Sequence, residues 1–150
     1  MKRVTIFSVL LVIMLSGCDN GPKSGRGFTL PDGDMDRGQV VFVELGCNAC
    51  HSVGNVKQLT TDEAENSISV RLGGKVTLIK TYGQLVTSIV NPSHRLAGRY
   101  SDGPVSTPDG QSLMRNYNDV MTVNQLIDLV AFLQANYELQ PYQRPSVYLN

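Results

Sequence analysis

Cys47, Cys50 and His51 fall within five residues of one another, in segment 46–54 (GCNACHSVG) of a 150-residue chain that holds three cysteines and two histidines in all. Thiols and imidazoles exchange disulfides, ligate metals and form covalent links, so chemistry is sought here first. Two readings compete on residue type alone. A thioredoxin-like redox pair needs a βαβ context with a helix N-terminus at the motif, whereas this motif follows a segment that reads as a helix. A structural zinc site needs four ligands; a second Cys/His pair is missing, and His94 alone does not complete the set.

The third reading uses all three residues and their order. Cys-x-x-Cys-His is the signature of covalent c-type haem attachment. Two thiols one backbone turn apart match the two vinyl groups on one edge of the porphyrin. The adjacent His51 is then carried under the iron as its proximal ligand. We expect one haem c, held through Cys47 and Cys50, with iron on His51.

The third cysteine has another setting. Lys2 and Arg3 precede an apolar run over 4–15 (VTIFSVLLVIML), then Ser16, Gly17 and Cys18. The run is short for a bilayer span but suits the apolar core of an export signal. The stretch Leu-Ser-Gly-Cys18 resembles the lipobox of bacterial lipoproteins. The resemblance implies cleavage after residue 17 and lipid on Cys18; an ordinary secretory signal with an incidental cysteine is the plainer alternative. Losing Lys2 and Arg3 with the leader takes the basic count from 13 to 11 against 13 acidic residues, a net charge of −2. Each buried acyl CH₂ contributes about 0.8 kcal/mol, so two or more chains anchor stably. Asp19 resembles the residue that retains some enterobacterial lipoproteins at the inner membrane, which implies a lipid-anchored protein on its periplasmic side.

Elements must position the motif. Asp34 or Asp36 can cap a helix carrying Val40, Val41, Phe42, Val43 and Leu45, ended by Gly46. Tyr82, Leu85, Val86, Ile89 and Val90 have helical spacing, stopped by Pro92. Thr122 and Gln125 form a capping box before Leu126, Leu129, Val130 and Leu133, one face of a helix widened by Ile127, Phe132 and Tyr137. Segment 69–78 suggests a short hairpin around Gly73 and Gly74. Asp102-Gly103 and Pro108-Asp109-Gly110 read as turns. Residues 19–33, rich in Gly, Pro and Asp, read as a tether of at most about 50 Å.

Gly38, Phe42, Cys47, Cys50 and His51 together resemble the opening of small class I mono-haem c-type cytochromes, and the last helix resembles their C-terminal helix. The middle helix, followed by Asn91-Pro92-Ser93 and by Gly98 and Tyr100, is similar to their middle segment, with Arg99 inserted between glycine and tyrosine. The resemblance spans about residues 34–140. It implies an all-α fold of three to four helices around one covalent haem, with long loops. The expected organisation is a leader over 1–17, a lipid-anchored tether over 18–33, a cytochrome domain over 34–140 and a tail over 141–150. One departure stands out. The family often has a proline soon after the haem histidine, whose carbonyl orients the imidazole; none occurs here between His51 and Asn91. Some other backbone carbonyl should take that part.

The resemblance also implies a methionine as distal ligand, placed shortly before the last helix and followed by an aromatic. Met114-Arg115-Asn116-Tyr117 matches at methionine and aromatic, with Arg115 replacing the usual proline. Met121 lies where a hydrophobic staple residue would pack, and His94 lies in a turn after Pro92. Met114 is therefore the expected distal ligand, ahead of Met121, His94 or an open position. Arg95, Arg99 and Arg115, with Tyr117, are expected near the haem edge, where arginines can pair with propionates or remain solvated.

Composition bounds the function. The chain is 41% hydrophobic and 17% charged with balanced charge, which argues against nucleic acid as a partner. It shows no Ser/His/Asp set and no paired-carboxylate site, and so no enzyme constellation or small-molecule substrate. The expected function is single-electron transfer between respiratory redox proteins at a membrane. Alternatives are a subunit docked on a larger oxidoreductase, or an open-site haem sensor or enzyme.

Overall fold

The computed structural model describes residues 28–59, 68–78, 80–96 and 105–140. Cys18, Asp19, Gly98, Arg99, Tyr100, the Asp102-Gly103 turn and the tail over 141–150 lie outside them.

Three α-helices carry the core: α1 (Met35–Glu44), α2 (Tyr82–Val90) and α3 (Val123–Ala135). Each starts on a side chain that satisfies a free N–H. Asp34 accepts from Arg37 N ahead of α1, and Asp36 in the first turn complements the helix dipole. Thr81 with Gln84, and Thr122 with Gln125, form complete capping boxes on α2 and α3. Gly46 follows the Leu45 cap of α1 at φ 68°, a left-handed stop that turns the chain into the motif.

α1 and α3 pack most extensively. Phe42 and Phe132 meet at 5.8 Å between centroids with planes tilted by 59°, and Phe42, Val53 and Val130 are almost wholly enclosed. Side chains of this size contribute about 1.5–3 kcal/mol each on burial. Gly38 makes the approach possible: a Cβ there would run into the Asp128 carbonyl oxygen and sit 2.7 Å from Phe132 Cβ. Asp128 is buried in α3 and seals the seam. Its carboxylate accepts from Arg37 Nε at 2.8 Å, from Arg37 Nη2 at 3.2 Å and from the Asp34 N–H at 2.8 Å. The Arg37 bond, then the Asp34 N–H, holds the Asp128 carboxyl below its ordinary range. The seam reaches back to Leu30, which packs on the core, and to Gly33, lying directly against Ile127 and Ala131.

The all-α expectation fails. Among the described residues, four three-residue strands form two parallel pairs: β1 (His51–Val53) with β2 (Val70–Leu72), and β3 (Gly74–Val76) with β4 (Tyr137–Leu139). Register is His51 to Val70 and Gly74 to Tyr137. Nor do β2 and β3 form the expected hairpin. Gly73 and Gly74 both have positive φ, as a tight turn would need, but each strand pairs with a distant partner instead. The reason is Asn136, just beyond α3. Its carbonyl accepts from Gly74 N at 2.7 Å, and a Cβ on Gly73 would lie 2.6 Å from that same oxygen. The glycines therefore let the backbone cross the end of α3 and change partners.

Among the described residues, no helix is long and apolar enough to cross a membrane.

Candidate haem-attachment site

The motif begins where α1 stops. Cys47 to Ala49 form one 3₁₀ turn, Cys50 N bonding back to Cys47 O at 3.3 Å, and His51 opens β1. Both thiols are free, Cys47 partly covered and Cys50 exposed. Burial raises the Cys47 thiol above its ordinary range, opposed by a backbone hydrogen bond. The motif also follows the C-terminal end of α1, which is not the helix N-terminus that a thioredoxin-like pair needs. Among the described residues, no three His, Cys, Asp or Glu side chains gather as an ion site, so the motif does not present a zinc set.

His51 is held by the strand pairing. Its Nδ1 lies 3.1 Å from Val70 O. A carbonyl oxygen only accepts, so Nδ1 carries a proton, and in the neutral ring Nε2 keeps its lone pair. Burial lowers the imidazole's proton affinity, and the bond to Val70 partly offsets this. The ring is thus a neutral ligand-type imidazole oriented through its other nitrogen. Val70 N in turn donates to Cys50 O at 2.9 Å, so one residue fixes both the second cysteine and the histidine. No local sequence signal marks this carbonyl, because the pairing spans 19 positions.

Two further residues escaped the sequence reading. Gln58 donates to Ala49 O at 3.1 Å and to Ile68 O at 2.8 Å, tying the motif turn to the approach of β2. Asn48, between the cysteines, is buried, and its side-chain oxygen has no donor among the described residues.

The expected distal candidates differ in their surroundings. Met121 packs on the core. His94 is exposed, its Nδ1 engaged 2.8 Å from Asn91 O within its own turn. Met114 is half-buried, follows the 107–111 turn, and is absent from the side chains packed on the core. Tyr117, three residues on, is buried and donates to Leu45 O at 3.0 Å, which brings its segment to the end of α1 beside Cys47. Burial raises the phenol above its ordinary range, Cys47 and Cys50 add to that, and Arg115, 5.4 Å over the ring, opposes it. Arg95 and Arg115 are exposed. The structure thus brings Tyr117 to the two cysteines, holds His51 on Val70 and leaves His94 to its own turn.

These residues fit a covalently held haem. The donor set is two free thiols and a neutral imidazole with Nε2 available. A large apolar side chain next to it remains exposed, Leu59 at 58% with its N–H on Asn48 O. An apolar macrocycle clasped there would have surface to cover. Comparison with known families, curated proteins and solved structures finds no match to this chain.

Proposed function

We propose that this chain is a mono-haem c-type cytochrome, lipid-anchored through Cys18 on the periplasmic side of a bacterial inner membrane, that passes single electrons between redox proteins. The observation that carries the reading is the His51–Val70 hydrogen bond, which fixes the imidazole tautomer a proximal iron ligand needs, one residue after the second free thiol.

Cys47 and Cys50 would hold the group by thioether bonds, and His51 Nε2 and Met114 sulfur would be its iron ligands. Bound there, haem supplies a one-electron couple, which a thioether ligand shifts to higher potential by favouring the ferrous state. The chain's own residues do the rest. The Val70 carbonyl keeps the imidazole from turning. Cys47 packs on the core at the end of α1. The lipid on Cys18 would raise the local concentration of membrane partners without adding contacts.

The direct test is the exported, purified chain on a denaturing gel. Haem should stay with the polypeptide after unfolding, and the Cys47→Ala, Cys50→Ala double variant should lose it. A chain that carries no haem when exported by a host able to attach it would overturn the reading.

One observation favours permanent docking on a larger oxidoreductase as a second reading. The outward face of α1 leaves Met35, Val40 and Val43 about half exposed, with Asp36 and Glu44 beside them and no basic residue in the last turn to balance the helix dipole.

A further inference from the structure

The last carbonyls of a helix lack donors within it and take them from elsewhere. In this chain two consecutive residues supply donors to two helices. The Tyr117 hydroxyl donates to Leu45 O at the cap of α1, at 3.0 Å, and Asn118 Nδ2 donates to Val90 O at the last residue of α2, at 2.9 Å. The segment around them is pinned at both ends. Upstream, Met114 N donates to Ser112 Oγ at 3.1 Å, and Ser112 N donates to Ser93 Oγ at 3.0 Å in the 3₁₀ turn Pro92–His94. Downstream, Val120 and Met121 both donate to Tyr117 O and lead into the Thr122 cap of α3.

We infer that residues 112–121 form a strap across the ends of α1 and α2, and that Tyr117 is the positioning residue that sets how readily Met114 gives up its place as a ligand. The inference rests on the haem reading above. Met114 is held by its backbone and not by the core, whereas Tyr117 is 9% exposed and fixed at both ring and hydroxyl. For the thioether to leave, its segment must move, and that motion pulls on the Tyr117–Leu45 bond. A small neutral ligand for ferrous iron would then compete at a level set by this one hydroxyl. Losing a hydrogen bond of about 1 kcal/mol corresponds to about a fivefold change in that competition.

The experiment is a carbon monoxide titration of the reduced, haem-loaded, full-length chain, with a urea midpoint measured in parallel so that only folded protein is compared. Wild type should bind little and Met114→Ala should bind freely. Tyr117→Phe keeps the ring and its packing, and should raise the apparent affinity by about fivefold. Asn118→Ala removes an exposed anchor and should raise it by less. Equal binding by Tyr117→Phe, Asn118→Ala and wild type, with Met114→Ala still binding freely, would overturn the strap. Wild type binding as freely as Met114→Ala would overturn the Met114 ligand itself, and the strap with it.

Discussion

The α1–α3 seam and the motif segment adjoin each other but are held by different means. The seam buries two phenylalanines, closes on a glycine and locks with an arginine bound twice to one carboxylate. The motif is held by single hydrogen bonds to backbone oxygens: Val70, Ala49, Ile68 and, through Tyr117, Leu45. Apolar burial is strong and insensitive to direction, so the seam supplies stability. Hydrogen bonds are weaker but directional, so they suit the task of aiming one imidazole. Substitutions in the seam should therefore shift unfolding, and, on the haem reading proposed above, substitutions around the motif should shift ligand behaviour with modest effects on unfolding.

The sharpest break is Phe42→Ala, expected to cost about 3–5 kcal/mol by denaturant midpoint, since the ring is 1% exposed. Gly38→Ala should come next, at about 1–3 kcal/mol, because the new methyl has nowhere to go against the Asp128 carbonyl. Its counterpart is Gly83 in α2, where an added Cβ meets nothing within 4 Å; Gly83→Ala should stabilise by about 0.4–1 kcal/mol. Opposite signs for the same substitution in two helices would isolate the close approach as the cause. Equal signs would dismiss it.

Acid should weaken the seam first. The folded Asp128 carboxyl is held below its ordinary range, mainly by Arg37, so its contribution is present at neutral pH. It is lost as pH falls from about 4 through the lowered folded value. Asp128→Asn should flatten the midpoint's pH dependence over that interval. An unchanged slope would move the acid sensitivity elsewhere. On the motif side, Gln58→Ala should cost only about 0.5–1.5 kcal/mol, its two carbonyl partners being able to turn to water. A loss as large as that of Phe42→Ala would mean that the motif, too, is part of the stability core.

The parts legible in the sequence are those whose cause lies within a few residues. Asp34, Thr122 with Gln125, and Gly46 act on neighbours three or four positions away, and the cysteine spacing is itself local. Thr81 with Gln84 carried the same signal and was there to be read. The parallel strands were not legible. Each is three residues long, too short for an alternating pattern, and parallel pairing has no turn signature. Gly73-Gly74 offered a hairpin signal, but whether positive φ serves a turn or a crossing depends on Asn136, more than sixty positions on. Within helices, periodicity counted Val40 and Val43 with the apolar residues, although they face outward, and passed over Asp128, which is buried because Arg37 reaches it.

The register of β1 on β2 has a consequence for the order of assembly. Both thiols are presented by a turn that closes within four residues, while the imidazole acquires its bearing only when position 70 has come back to position 51. A nascent chain can therefore offer its sulfurs while His51 still swivels. Lengthening the intervening loop should delay that bearing at little thermodynamic cost, about 0.6 kcal/mol for each doubling. On the haem reading proposed above, the group would then be held by sulfur alone until position 70 pairs with position 51.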